Sequence, residues 1–333
     1  MRVEITDRNE TYEINLQQIT QLLGINMKKK QFILDSLDKF FSGARYSSYE
    51  ENMQDNVRIE RQKVGRKYFS SHRIHTRENL IKDIKISKTS MMMQYLLARF
   101  TDFECRLEQD AIAEHLERLY LCVNEELAKT IGNIEISYDT KNMLEVLSES
   151  MVCGVDGKGI EQLSNYELLE TYLDLFVQLQ KREPQKMLIL IENIDHLLDY
   201  EEYEKIYLKM QQIVDEYDCW FVVSASIHGF IVLNTESIEG IQVINDTVFS
   251  FPSYEHIFTF LKEEYPIERE WSEIEVLGGL KDTIQYVGKE NCSIDFKGNV
   301  FLKLINQTLD IKTVASNTVN SIEMAFLMDA DVV

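Results

Sequence analysis

The chain has 333 residues, 44% of them hydrophobic, and a formal net charge of −21. That is enough apolar material for a packed core, so disorder is not the default. The negative balance excludes nonspecific adhesion of the whole surface to nucleic acid, because like charges repel unless cations are gathered locally.

Three prolines and thirteen glycines predict that helix outweighs strand and argue against an all-β sandwich. The five cysteines, Cys105, Cys122, Cys153, Cys219 and Cys292, form no C-x-x-C pair, so neither a zinc site nor a disulfide framework is signalled and a cytoplasmic setting is expected. The amino terminus is polar, and no apolar run approaches the roughly 20 residues of a membrane span.

Val3 and Ile5, then Tyr12, Ile14 and Leu16, alternate about a polar turn and predict an opening hairpin. An apolar segment over 19–23 ends at Gly24, and a helix follows with Ile33, Leu37, Phe40 and Phe41 on one face. The intervening residues, Gly24-Ile25-Asn26-Met27-Lys28-Lys29-Lys30-Gln31, resemble the G-x-N-x-x-G-K-[ST] phosphate-binding loop of transporter-type and chromosome-maintenance ATPases. Lys29 replaces the glycine that lets backbone amides cradle phosphate, and Gln31 replaces the hydroxyl that would hold Mg²⁺. Cations at a helix start oppose the helix dipole, so Lys28, Lys29 and Lys30 are either a solvated helix start or a phosphate contact.

Over 58–88 there are ten Lys/Arg against three acids: Arg58, Arg61, Lys63, Arg66, Lys67, Arg73, Arg77, Lys82, Lys85 and Lys88 against Glu60, Glu78 and Asp83. Most of the segment lacks apolar periodicity, which predicts a basic loop or ribbon against a duplex backbone, the alternative being a solvated face. With no recognition helix evident, phosphate and shape contacts are expected rather than base contacts.

From 89 to 147 the pattern is helical, clearest at Ile112, Leu116, Leu119, Tyr120, Val123 and Leu127, with a break near Gly132. Glu125, Glu126, Glu135 and Asp139 bracket that break and are candidate oxygen ligands for Ca²⁺. A further helix carries Leu168, Tyr172, Leu175, Phe176 and Leu179 and ends before Pro184. The apolar runs 187–191 and 220–223, separated by an amphipathic helix, predict a β-α-β unit with parallel strands. The first run ends in Glu192-Asn193, with Asp195 beyond, where an NTPase of this type places Asp-Glu. A last hairpin over 241–251, a helix capped by Ser253 and a weakly patterned tail after Pro266 complete the chain.

The predicted fold is therefore α/β: a degenerate P-loop-NTPase-like core with a mostly parallel sheet (1–88 and 155–265), an inserted helical subdomain (89–154) and a C-terminal extension (266–333). In the order of these parts, over about residues 1–265, the chain resembles the accessory protein of spacer acquisition in type II-A CRISPR systems, in its longer form. The resemblance implies a homotetrameric ring enclosing linear double-stranded DNA entered at its ends. It further implies calcium supporting the assembly, no catalysis, and an integrase and an RNA-guided nuclease as partners. The DNA contacts expected in this sequence are Lys28, Lys29, Lys30, Arg58, Arg61, Lys63, Arg66, Lys67, Arg73 and Arg77. The alternatives are an atypical ATPase acting on DNA, with Lys30 on phosphates and Glu192 or Asp195 on the metal, and a purely structural scaffold for the acquisition machinery.

Overall fold

The computed structural model describes residues 1–8, 10–47, 53–132, 134–137, 146–147, 149–227, 229–267, 270–289 and 294–311. They divide into two compact units, 1–76 with 184–333, and 77–183. The second unit thus takes in the helix after Gly159, which the sequence pattern alone groups with the core.

In the first unit, strands β1 (Arg2–Asp7) and β2 (Glu10–Asn15) form the expected opening hairpin. Strand β3 (Ile19–Leu23) leads into helix α1 (Met27–Phe41). The basic segment then supplies short strands β4 (Val57–Ile59) and β5 (Gln62–Lys63) and strand β6 (Ser70–Ile74), so it is not one loop. An antiparallel sheet runs β2-β1-β4-β5.

The second unit begins with α2 (Arg77–Ile84), α3 (Met91–Phe100) and the 28-residue α4 (Phe103–Thr130). Helix α5 (Asn165–Arg182) opens on a capping box, in which Ser164 and Glu167 satisfy each other's backbone amides, and buries Leu168, Tyr172, Leu175 and Phe176.

Back in the first unit, β7 (Met187–Ile191), the single turn α6 (Ile194–Leu197), α7 (Tyr200–Glu216) and β8 (Cys219–Ser224) make the predicted parallel β-α-β unit. Strands β9 (Ile241–Ile244) and β10 (Val248–Ser250) form the closing hairpin. Helix α8 (Tyr254–Glu264), capped by Ser253, is followed by α9 (Glu273–Thr283) and α10 (Phe296–Thr308). The main sheet runs β10-β9-β3-β8-β7-β6 and is parallel except for β10.

This sheet is covered on both faces. Leu22, Leu188, Leu190 and Val222 pack with Ile33, Leu37, Phe40 and Phe41 of α1 and with the inner face of the small sheet. Gln21, which alternates with Leu22 on β3, points the other way and accepts from Tyr203 Oη of α7 at 2.9 Å. A separate cluster joins β9 to α8, α9 and α10 through Val243, Leu261, Leu280 and Phe301, so the region after Pro266 has a core of its own attached to the sheet edge. Among the described residues no helix is long and apolar enough to cross a membrane.

The joint between β3 and α1 is tightly packed against β9. Gly24 has φ +92°, and a Cβ there would lie 2.3 Å from the Ile244 carbonyl oxygen. Both the conformation and the contact exclude a side chain. Gly24→Ala is expected to lower stability by at least ~2 kcal/mol, read from chemical denaturation; a loss below ~0.5 kcal/mol would show that the loop can move off β9 freely.

Candidate functional site

The C-terminal ends of β3, β7 and β8 lie side by side, where an open parallel sheet places its ligands. Most of the polar groups there are committed to one another. The Ile25 amide donates to Asn245 Oδ1 at 2.9 Å, and the Asn26 amide donates to the Ile244 carbonyl at 3.2 Å. Asn26 Nδ2 donates to the Asn245 carbonyl at 3.1 Å, while its Oδ1 accepts from the Lys29 amide at 3.1 Å and caps α1. Asn245 is fully buried and donates to the Gln285 and Val287 carbonyls at 3.1 and 2.7 Å, which fixes the β9–β10 turn against the loop. A phosphate cradle needs several backbone amides turned toward one point. Here two are already used, and the helix starts at Met27, three residues before the lysine.

The three lysines separate. Lys28 is exposed. Lys29 turns back to the Asp246 carbonyl and to Glu10 at 3.4 Å, with its ammonium 5.1 Å from the centre of the Tyr12 ring. Lys30 is only 2% exposed, and its Nζ donates to the Ala225 carbonyl at 2.7 Å. Burial pushes the Lys30 ammonium down to about 8, against the opposing pull of Asp195. Lys30 is therefore an internal strut, and the expectation that it contacts DNA or phosphate is corrected.

The acids are equally engaged. Glu192 is buried at the end of β7 and accepts from Arg73 Nη2 at 2.6 Å and Nε at 3.2 Å. Arg73 Nη1 also donates to Asp35 at 2.6 Å. Asp195 has a fully buried side chain that accepts from the Ser226 amide at 2.7 Å, the Ile227 amide at 3.0 Å and the Ser226 hydroxyl. Burial would raise its carboxyl, but the Ser226 hydroxyl and these amides outweigh that and hold it below the usual range. The Ser226 hydroxyl also lies 2.9 Å from His196 Nε2. This meeting of Asp195, His196 and Ser226 was invisible in the sequence, where Ser226 lies 30 positions after His196. The carboxylate binds the hydroxyl directly instead of orienting the imidazole, so the geometry is not that of a nucleophilic triad.

The basic segment divides in the same manner. Register places Glu4, Arg58 and Lys63 across neighbouring strands on the outer face of the small sheet, alternating with buried Val57 and Ile59. Arg61 at the β4–β5 turn has a 70% exposed side chain, and Lys67 is exposed. Arg66 lies over the Tyr46 ring at 4.7 Å and reaches the Ala44 carbonyl at 3.4 Å. Arg73, with a side chain 14% exposed, serves Glu192 and Asp35. Arg77 opens α2 and donates to Asn165 Oδ1 at 2.5 Å and to the Leu163 and Glu161 carbonyls at 2.6 and 3.0 Å. Arg73 and Arg77 are thus corrected to structural cations.

Of the candidate calcium ligands, Glu125 and Glu126 are exposed neighbours on α4, Glu126 lies 3.9 Å from Lys129, and Glu135 is exposed beyond the helix end. Asp139 lies outside the described residues. Among the described residues no three His, Cys, Asp or Glu side chains gather into a group able to hold a metal ion.

Fold and site together define an α/β protein in which Lys30 is an internal strut and the exposed candidate cations are Lys28 and those of the small sheet and its flank. The chain belongs to the family described as CRISPR-associated protein Csn2 subfamily St, whose model matches residues 6–312. Membership supports a role in type II-A CRISPR adaptation. Among solved structures it is similar to Stu0660 of Streptococcus thermophilus at 20% identity and a TM-score of 0.83, covering 98% of this chain and 99% of that one. That likeness is one of fold.

Weaker likenesses are to an SmcHead bound to the C-winged helix domain of ScpA, at 15% identity, TM-score 0.42 and coverage of 78% and 98%. The Smc head domain with an extended coiled coil, bound to the C-terminal domain of ScpA derived from Pyrococcus furiosus, matches at 13% identity, TM-score 0.39 and coverage of 79% and 98%. At those TM-scores they carry no argument. A comparison with curated protein sequences finds no match.

The strut has a testable pH signature. Between about 8 and the ordinary lysine value of 10.5, unfolded Lys30 holds a proton that the folded chain releases, so this residue makes stability rise with pH across that window and leaves it flat below. In Lys30→Met that contribution, up to about 3 kcal/mol, is absent. Denaturation of both proteins from pH 7 to 10.5 should give a steeper rise for the native chain; parallel curves would show that Lys30 is not buried as a cation.

Proposed function

We propose that this chain binds linear double-stranded DNA without regard to sequence, as a homotetrameric ring loaded at free ends, and performs no catalysis itself. It acts in spacer acquisition beside the CRISPR integrase and the RNA-guided nuclease. The observation that carries the DNA-binding reading is the placement of cations: Arg58, Arg61, Lys63 and Lys67 stand exposed within ten residues of a chain whose net charge is −21. A local cationic patch on an anionic protein directs a polyanion to one place and keeps it off the rest.

Self-association is supported by α4, which has no buried residue over 28 positions while Phe103, Leu107, Ile112, Leu119 and Leu121 are each more than half exposed. Such a surface gains stability when a second copy covers it. The absence of catalysis is supported by the internal use of Lys30, Glu192 and Asp195. An ATPase would need all three to leave partners that hold them within the core.

The test is fluorescence anisotropy on a linear duplex and a covalently closed circle of one sequence, titrated in salt with and without Ca²⁺. Tight binding of the linear form alone is expected. Replacing Arg58, Arg61, Lys63 and Lys67 by Ala should weaken binding to all sequences by roughly 10–100-fold and reduce the log–log salt slope by about three. Lys30→Met should leave that slope unchanged. Equal binding to both DNA forms would replace the ring with an open groove, and no binding at low salt would favour a protein scaffold.

A further inference from the structure

The β4–β5 hairpin is unfavourable in two independent respects. Its two-residue connection, Glu60-Arg61, closes the Ile59↔Gln62 pair with φ of +49° and +62°. A turn with both central residues left-handed matches the twist of a hairpin but selects Asn-Gly, and neither residue here is glycine, asparagine or aspartate. The geometry is imposed from β1: the Glu60 amide donates to the Arg2 carbonyl at 2.8 Å, and Glu60 Oε1 accepts from the Arg2 amide at 2.7 Å.

The second respect is electrostatic. Arg58 and Lys63 are directly opposite across the hairpin, and like charges so placed repel. Among the described residues neither has a carboxylate within ion-pair distance. Glu4, the acid nearest in register, is shared by Arg2 at 3.5 Å and Arg61 at 3.8 Å. Backbone strain and unbalanced charge in the same six residues, held in place by a neighbouring strand, are what a preformed contact looks like before its ligand arrives. An anion with regularly spaced charges would offset the repulsion across several of these groups at once.

We propose that hairpin 57–63 is a rigid phosphate-contacting finger for duplex DNA, with Arg58 and Lys63 sharing one backbone phosphate and Arg61 at the tip meeting the next. This rests on the DNA-binding reading above and adds a consequence that reading lacks: the finger trades stability for binding. Relieving either defect should therefore stabilise the free protein and weaken its complex.

Two variants test this. Lys63→Glu turns the opposed cations into an ion pair. The double change Glu60→Asn, Arg61→Gly installs the preferred turn. Each is expected to raise the Tm of the DNA-free protein by about 1–3 °C. Each should also weaken binding to a linear duplex by about 10-fold, with the log–log salt slope reduced by about one in each. If the native chain binds DNA and both variants bind equally well, or if Tm falls in both, the finger is overturned while the DNA-binding reading stands. If the native chain does not bind the duplex at low salt, that reading fails and takes the finger with it.

Discussion

The Lys30 ammonium sits almost out of reach of solvent against the Ala225 carbonyl, and the rest of the main sheet's ligand edge is arranged around it. A buried cation is expensive unless its surroundings are polar and fixed. Asp195 supplies the compensating charge, and it is immobilised by the amides after β8, so β8 and the single turn α6 are tied to α1 through one lysine. Glu192 and Arg73 tie β7 to β6, and Arg73 to Asp35 ties β6 back to α1. Internal partners thus balance the buried charges at this edge. The scaffold needs no bound ligand to keep its strand ends together.

This arrangement explains why charge counting over 58–88 was only partly informative. The ten cations there are alike in sequence, but β6 runs at the edge of the main sheet and turns Arg73 onto α1, while α2 opens with Arg77 and spends it on carbonyls of the same unit. The strands of the small sheet alternate instead, so Arg58 and Lys63 point outward because Val57 and Ile59 point inward. Whether a cation is available to a ligand depends on strand alternation and on acids brought in from Asp35 or Glu192, which lie 38 and 119 residues away from Arg73 in sequence.

The elements themselves were largely legible. Helix α1 follows from Ile33, Leu37, Phe40 and Phe41 on one face, and β7, α7 and β8 follow from two apolar runs around an amphipathic helix, because burial on one face or both imposes these periods. The loop at Gly24 was legible as a loop and illegible as a site. Its motif survives in Gly24, Asn26 and Lys30, yet each does a structural job: Gly24 lets β9 approach, Asn26 caps α1, and Lys30 reaches Ala225. Nothing local reports that Asn245 and the Ile244 carbonyl, more than 200 residues on, occupy the Ile25 and Asn26 amides. Nearness in sequence is likewise a poor guide to shared ligation, since adjacent positions on a helix, such as Glu125 and Glu126, diverge by about 100°.

A closed ligand edge and an exposed basic sheet also separate two properties that one phosphate-binding loop would have combined. In a loop that cradles phosphate, affinity comes from amides fixed at short range, and it depends weakly on salt when the site is dry. Exposed arginines and lysines on a small sheet bind through counterion release, which is long-ranged, tolerant of sequence and strongly dependent on salt. With Lys29 where such a loop has glycine and Lys30 buried as a strut, the first property is not available here, and the strands that would carry the second are undisturbed. The core can therefore stay rigid while Arg58, Arg61, Lys63 and Lys67 remain exposed, with no part in holding the main sheet together, which is what the proposed DNA contact requires of them.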